Sequence, residues 1–307
     1  MILGTNHALV LTGTPGAATL DVGTIETVRL QLTGREVIRE RWLAPGDAWE
    51  ARLLAEPSED VGPLKQRIAE ALAALPVDVN LVPDDGGHRH KKLLVADMES
   101  TIIEQECLDE LADYIGLRPQ IASITERAMR GELEFEAAIK ERVGLLKGLN
   151  AGVLDDLYRM RVTLMPGAQT LIATMHANGA YCALVSGGFG FFTEKVAARV
   201  GFDSEQANRL EIADGKIAGT VAEPILGREA KRAALERLTR ERGLTPADTL
   251  AVGDGANDLS MIAAAGLGVA YRAKPKVAAA AAASIRHGDL TALLYLQGYH
   301  WDEFVGR

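Results

Sequence analysis

The sequence predicts an α/β protein, a parallel sheet with helices on its faces, preceded by a smaller α+β unit. Three observations carry this reading. From Lys92 onward, short near-continuous apolar runs ("KLLVAD", "YCALVSGG", "TLAVGDG", "LGVAY") alternate with helical stretches such as "REAKRAALERLTRERG", as strands buried on both faces of a parallel sheet do. The first three runs each end in a polar cluster, at the strand ends where open α/β sheets bind ligands. Before Lys92 the order is strand, helix, strand, strand, helix, strand, which places two helices on one face of a small antiparallel sheet.

That N-terminal unit, residues 1–85, is read as ferredoxin-like. Its pieces are the strand "ALVLTG", a helix through "TLDVGTIETVRLQL", strands around "REVIRERWL" and "WEARLLAE", the helix "VGPLKQRIAEALAAL" and the strand "VDVNLV". Residues 86–91, within the polar, glycine-bearing "VPDDGGHRHKK", are expected to be a linker, with His88 and His90 in solvent rather than on a metal. The parallel-sheet core is assigned to 92–105 and 164–295. Between its two parts, residues 106–163 show helical periodicity alone. A helical block inserted after the first core strand is expected to cap the carboxyl ends of the strands. The alanine tract Ala278 to Ala283 follows Pro275 and reads as helix, and residues 296–307 are set apart as a C-terminal tail. Trp42, Trp49 and Trp301 are expected to pack in the core or at an interface.

Composition narrows the function. At 307 residues the chain accommodates two or three compact units. A net charge of −9 argues against a nucleic-acid partner, which needs a basic face. No apolar run approaches the roughly 20 residues of a membrane span. Two cysteines, Cys107 and Cys182, make no disulfide framework and point to a reducing cytoplasm; Cys107 is read as a small buried hydrophobe. "MILGTNHALVLTGTPG" has neither a basic region before its apolar stretch nor a typical cleavage site. "GGFGFF" at 187–192 lacks the third glycine of a dinucleotide loop.

The chemistry lies at the strand ends. Asp97, Glu99 and Thr101 follow the first core strand, Ser186, Gly187 and Gly188 the second, and Asp254, Asn257 and Asp258 the third; Lys231 lies on the helical segment between the last two. If these strands are parallel neighbours, all of these groups converge on one sheet edge. Carboxylates gathered there repel one another unless a cation neutralises them, and an oxygen-only ligand set favours Mg²⁺. Lys231, the Ser186 hydroxyl and glycine-rich backbone amides are donors for a small dianion. Metal, anion donors and a spare carboxylate together suit phosphoryl transfer. Taken singly, the residues have ordinary readings: Asp97 as a helix cap, Glu106 as a first-turn glutamate, Arg142 as a surface charge, Thr101 as a local backbone cap.

In this order, "DMEST", "VSGGF", Lys231 and "GDGANDLSM" resemble the four signatures of the haloacid-dehalogenase-type phosphatases. "ADMESTIIEQECLDELA" with "ITERAMRGELEFEAAIKERVGLLKGL" resembles, more narrowly, the phosphoserine phosphatases, and the resemblance covers roughly residues 92–295. It implies a Rossmann-like core with a helical cap, and hydrolysis of O-phospho-L-serine to serine and phosphate, the last step of serine synthesis. By the same resemblance, Asp97 is the nucleophile that becomes an aspartyl phosphate, and Glu99 is general acid, then general base. Mg²⁺ is held by Asp97, the backbone carbonyl of Glu99 and Asp254. Ser186, Lys231 and the Gly187 amide take the phosphoryl oxygens, while Asn257 and Asp258 orient the metal shell and Lys231. Glu106 takes the substrate ammonium, Arg142 its carboxylate, and Phe135 closes the pocket; seven apart, Phe135 and Arg142 share a helix face.

One position departs from the family: Asp-x-Asp is usual, and here it is Asp97-Met98-Glu99. The extra methylene moves the carboxylate by roughly 1.5 Å, a displacement to which catalysis is sensitive. The two acids have similar unperturbed pKa values, so proton chemistry survives the exchange. The N-terminal unit resembles ACT-like amino-acid-sensing modules, on its strand–helix order and on "LTGTPG"; this implies a regulatory serine site there, or a module used for packing or homodimerisation. Two other readings stay open. A sister enzyme could act on another small phosphomonoester or pass the phosphoryl group to an alcohol, and a catalytically silent amino-acid sensor could only bind ligand. Retention of Asp97 and Lys231 weighs against the sensor.

Overall fold

Residues 5–55, 59–84, 87–129 and 132–306 are described in this computed structural model; the predicted start of the linker, Gly86, lies outside them. The chain opens with β1 (Thr5–Gly13), α1 (Val22–Gln31), β2 (Glu36–Ala44), β3 (Ala48–Ala55), α2 (Gly62–Ala71) and β4 (Val77–Pro83), an antiparallel sheet in the order β2-β3-β1-β4. Asp21 starts α1 by accepting the Thr24 amide at 2.7 Å, a side-chain N-cap. Leu9 and Leu11 of β1 pack under the two helices with Ile25, Val28, Leu64 and Ile68. Ala8 and Val10 point to the other face, where they join Leu290, Leu293 and Leu294 in the core of the larger unit. With both faces covered, the run is apolar throughout and does not alternate.

The larger unit begins with β5 (Leu93–Ala96), followed by four helices, α3 (Cys107–Tyr114), α4 (Arg118–Met129), α5 (Phe135–Gly144) and α6 (Gly152–Arg161). Then come α7 (Ala168–Ala177), β6 (Tyr181–Phe189), α8 (Gly190–Val200), β7 (Ser204–Asn208) and a hairpin of β8 (Leu210–Ala213) and β9 (Lys216–Val221). The remainder is α9 (Arg228–Glu241), β10 (Thr249–Gly253), α10 (Leu259–Ala264), β11 (Leu267–Tyr271), α11 (Pro275–Ala280), β12 (Ala283–Ile285) and α12 (Ala292–Leu296). All neighbours in the sheet β12-β11-β10-β5-β6-β7 run parallel. β5 is therefore flanked by β10 and β6, so the three strands that end in polar clusters lie side by side. No helix among the described residues is long and apolar enough to cross a membrane.

Several expectations need correction. The alanine tract is not wholly helical: α11 stops at Ala280, and Ala283 opens the edge strand β12. His88 and His90 are not simply solvated. His90 stacks on Tyr299 with ring centroids 4.2 Å apart, and His88 Nδ1 lies 2.9 Å from Asp248 Oδ1. Trp301 is exposed and so does not pack in the core, unlike the buried Trp49. The region set apart as a tail opens with buried residues, Leu296, Gln297 and Tyr299. The β8–β9 hairpin is absent from the sequence reading although Asp214-Gly215, both at positive φ, carries its turn signal.

Candidate active site

Asp97 leaves β5 while still pinned to the sheet, its amide donating to the Val252 carbonyl of β10 at 3.0 Å. Asp97 Oδ1 accepts the Met98 amide at 2.8 Å and lies 2.6 Å from Lys231 Nζ. Lys231, from the first turn of α9, also donates to Asp258 Oδ1 at 2.6 Å, and Asp258 Oδ2 accepts the Gly255 amide at 2.9 Å. Carboxylate oxygens of Asp97, Asp254 and Asp258 lie within 4.8 Å of one another. From β6, the buried Ser186 accepts the Gly188 amide on Oγ at 2.9 Å. A Cβ placed on Gly188 would sit 2.7 Å from Glu99 Oε2 and 3.1 Å from Ser186 Oγ, so the two polar groups crowd a point that only glycine leaves open. Asn257 folds back over Gly255.

The helical block reaches into the same space. Glu99 Oε1 accepts the Cys107 amide at 2.7 Å, which makes Glu99 a cap for the start of α3. Glu106 Oε1 accepts the Ser100 hydroxyl at 2.8 Å. Phe135 and Arg142 lie on α5. The Phe135 ring extends over Gly187, where a Cβ would be 3.5 Å from Cζ. Arg142 is partly buried, with its Nε donating to the Ala138 carbonyl at 3.3 Å and with Asp109, Glu99 and Glu106 as its nearby counter-charges. Cys107 is fully buried, and burial pushes its thiol up, so it is inert packing.

Electrostatics mark the centre as short of positive charge. Three carboxylates face one ammonium, a local balance of −2. Burial opposes charge on Lys231, yet Asp97 and Asp258 outweigh it and hold the ammonium protonated. One lysine does not balance the trio. Burial, with repulsion from Asp258 and Asp254, drives the Asp97 carboxyl up against the pull of Lys231. Asp254 is pushed up to about 6 by burial and then by Asp258 and Glu106. A divalent cation would cancel that balance, and the oxygen-only donors suit a hard ion. Glu99 is pushed up to about 7 by burial and by Glu106, against the hydrogen bonds from Cys107. Burial likewise raises Glu106.

Sequence reasoning overlooked three residues that shape this space. Asn208, buried at the end of β7, donates to the Gly187 carbonyl at 2.8 Å and accepts the Leu226 amide at 2.7 Å, tying the β6 loop to the approach to α9. It hides in the polar edge strand "SEQAN", which has no apolar signal. Ser100 holds a left-handed φ of 53° while its hydroxyl orients Glu106, the kind of strained backbone that clusters at sites. Asp109, in the first turn of α3, is a counter-charge to Arg142. Thr101 forms no local cap: it is fully buried, and its hydroxyl has no partner among the described residues.

Comparison with known proteins agrees with this geometry. The haloacid dehalogenase-like hydrolase family model matches residues 94–263. The phosphoserine phosphatase of Streptomyces coelicolor is 42% identical over 241 residues, 78% of this chain and 58% of that one. The corresponding protein of Mycobacterium tuberculosis is 42% identical over 242 residues, 79% of this chain and 59% of that one. The chain thus spans less than two-thirds of the length of either relative. The unliganded structure of a probable phosphoserine phosphatase from Vibrio cholerae superposes with a TM-score of 0.78 at 32% identity, over 97% of this chain and 88% of that one. A match that runs from β5 into α10, across all three strand ends, makes this chain a member of the haloacid dehalogenase-like hydrolases, and 41% identity to the phosphoserine phosphatase of a Polaromonas species, of which it covers 94%, puts it on their phosphoserine phosphatase branch.

Proposed function

We propose that the protein hydrolyses O-phospho-L-serine to serine and phosphate with Mg²⁺, the closing step of serine synthesis. The observation that most supports this is the meeting of Asp97, Lys231, Asp254 and Asp258 beneath a helical cap that brings Glu106 and Arg142 to the same opening. Asp97, Asp254 and the Glu99 backbone carbonyl would hold the ion, which when bound supplies positive charge to the phosphoryl oxygens.

The chain's own residues do the rest. With Asp97 Oδ1 held by the Met98 amide and Lys231, the carboxylate is fixed for in-line attack on phosphorus. As the bond from phosphorus to the serine oxygen breaks, Glu99 passes its proton to that oxygen. Water then attacks the aspartyl phosphate, Glu99 takes the water's proton, and phosphate leaves with Asp97 restored. A Glu99 carboxyl raised to about 7 suits both steps, since it exists in both protonation states near neutrality. Ser186, Lys231 and the Gly187 amide take the phosphoryl oxygens, and Asn257 and Asp258 steady the metal side. Glu106 and Arg142 select a zwitterion by pairing its ammonium and carboxylate. Phe135, lying over Gly187, closes the pocket and excludes water.

The test is phosphate release from a panel of phosphomonoesters with Mg²⁺, with and without an added alcohol acceptor. Phosphoserine is expected to be turned over best, Asp97→Asn to fall to background, and the alcohol to change nothing. Undiminished turnover in Asp97→Asn, or no response to phosphoserine, overturns the reading.

A further inference from the structure

A second concentration of charge lies outside the active site, where the N-terminal sheet meets the end of the chain. A cavity of about 310 Å³ opens there, lined among others by Arg39, Arg41, Glu50, Arg52, Asp84 and Arg89. Glu50 and Asp84 are only 2% and 4% exposed, and so require cations. They have them: Arg41 Nε lies 3.0 Å from Glu50, Arg52 Nε lies 2.7 Å from Asp84, and Arg89 contacts both carboxylates. Arg41 and Arg89 also donate to the carbonyls of Gly298 and Leu296, at 2.9 and 3.3 Å. Ion pairing across the junction therefore accounts for three of the four arginines.

It does not account for the fourth, or for the space. Arg39 is exposed at the cavity and has no ion pair among the described residues. Among the described residues lining the cavity, four guanidinium groups against two carboxylates leave a local excess of two positive charges, in a chain whose net charge is −9. Like charges gathered around a cavity without counter-charge repel one another, and a planar guanidinium fork matches carboxylate and phosphate oxygens in pairs. Among the described residues, the one other ionisable side chain lining the cavity is His90, stacked on Tyr299, with its pKa lowered by burial against the pull of Glu303. It does not change the count.

We propose that this junction binds a small dianion, a phosphomonoester or a dicarboxylate, held by Arg39 together with the unspent guanidinium N–H groups of Arg41 and Arg52. Such a ligand cancels the local excess and links β2 and β3 to Arg89, whose segment runs directly into the catalytic strand β5.

Isothermal titration of the full chain with sodium malonate and, separately, inorganic phosphate tests this, without divalent metal and at an ionic strength matched with sodium chloride. Wild type is expected to take up one malonate or one Arg39-dependent phosphate per chain. Arg39→Gln should weaken uptake about tenfold or more, and Arg39→Glu should abolish it. Melting temperature without anion and phosphoserine turnover should stay at wild-type values in both variants. Uptake of malonate alone identifies a dicarboxylate occupant, and Arg39-dependent uptake of phosphate alone a phosphomonoester. The proposal is overturned by no saturable uptake of either anion, by uptake unchanged in Arg39→Glu, or by an equal response to chloride.

Discussion

Gly188→Ala separates the chemistry of the site from its stability. An added Cβ would lie 2.7 Å from Glu99 Oε2 and 3.1 Å from Ser186 Oγ, where ordinary contact begins near 3.4 Å. The Glu99 carboxylate must therefore retreat by about 0.7 Å and the serine hydroxyl by about 0.3 Å. Gly188 has no left-handed φ, so alanine brings no backbone strain. The crowded Glu99 atoms are the end of a flexible side chain, and the melting temperature should stay within about 2 °C of wild type. Catalysis is less forgiving: moving the acid/base by this distance should lower kcat by about a hundredfold, or about 2.7 kcal/mol of barrier. KM should change less than kcat. Because Glu99→Asp withdraws the carboxylate by one methylene, the double variant should recover part of the loss. Steady-state phosphate release and a thermal melt on the same samples read both quantities. Wild-type kcat in Gly188→Ala would refute the placement of Glu99 as acid/base.

Lys231→Met leaves buried Asp97 and Asp258 facing each other without their ammonium, which should destabilise the fold by about 3 kcal/mol or more. Denaturant melts should show a larger loss at pH 8 than at pH 5, because the Asp97 carboxyl, already driven up by burial, takes a proton and relieves the repulsion as pH falls. In the metal-free protein, Glu99 and Asp254 hold their protons more tightly folded than unfolded, with folded values of about 7 and about 6. Their stabilising contribution is complete below about pH 4 and lost as pH rises through those values. Thermal melts from pH 5 to 8 should show this decline, Asp254→Asn should flatten it, and Mg²⁺ should restore stability at the upper end. Arg142→Ala should cut kcat/KM for phosphoserine by about tenfold or more while leaving an aryl phosphate, which has no carboxylate to pair, nearly untouched; equal losses on both would remove Arg142 from substrate selection.

Much of this molecule is legible along the chain. Buried strands announce themselves as "LLVA" and "TLAVG" because both faces are apolar. Asp97, Ser186, Lys231 and Asp254 stand out because polar groups directly follow such runs, or lie on the helix between them. What escapes is short or polar. β12 is three residues long behind an alanine tract, and β7 is polar and only half-buried over most of its length, so neither leaves an apolar trace. Asn208 is invisible for the same reason, since its role lies in whom it touches.

Residue type and local periodicity by themselves determined the buried core strands, the longer helices and the inventory of charge, because each depends on neighbours a few positions away. Only the tertiary structure decided that β10 and β6 flank β5, that Glu99 reaches across to cap α3, and that arginines from β2 and β3 meet Arg89 against the far end of the chain. Strand order and such contacts follow from how whole faces bury against one another, and no local stretch of sequence encodes that.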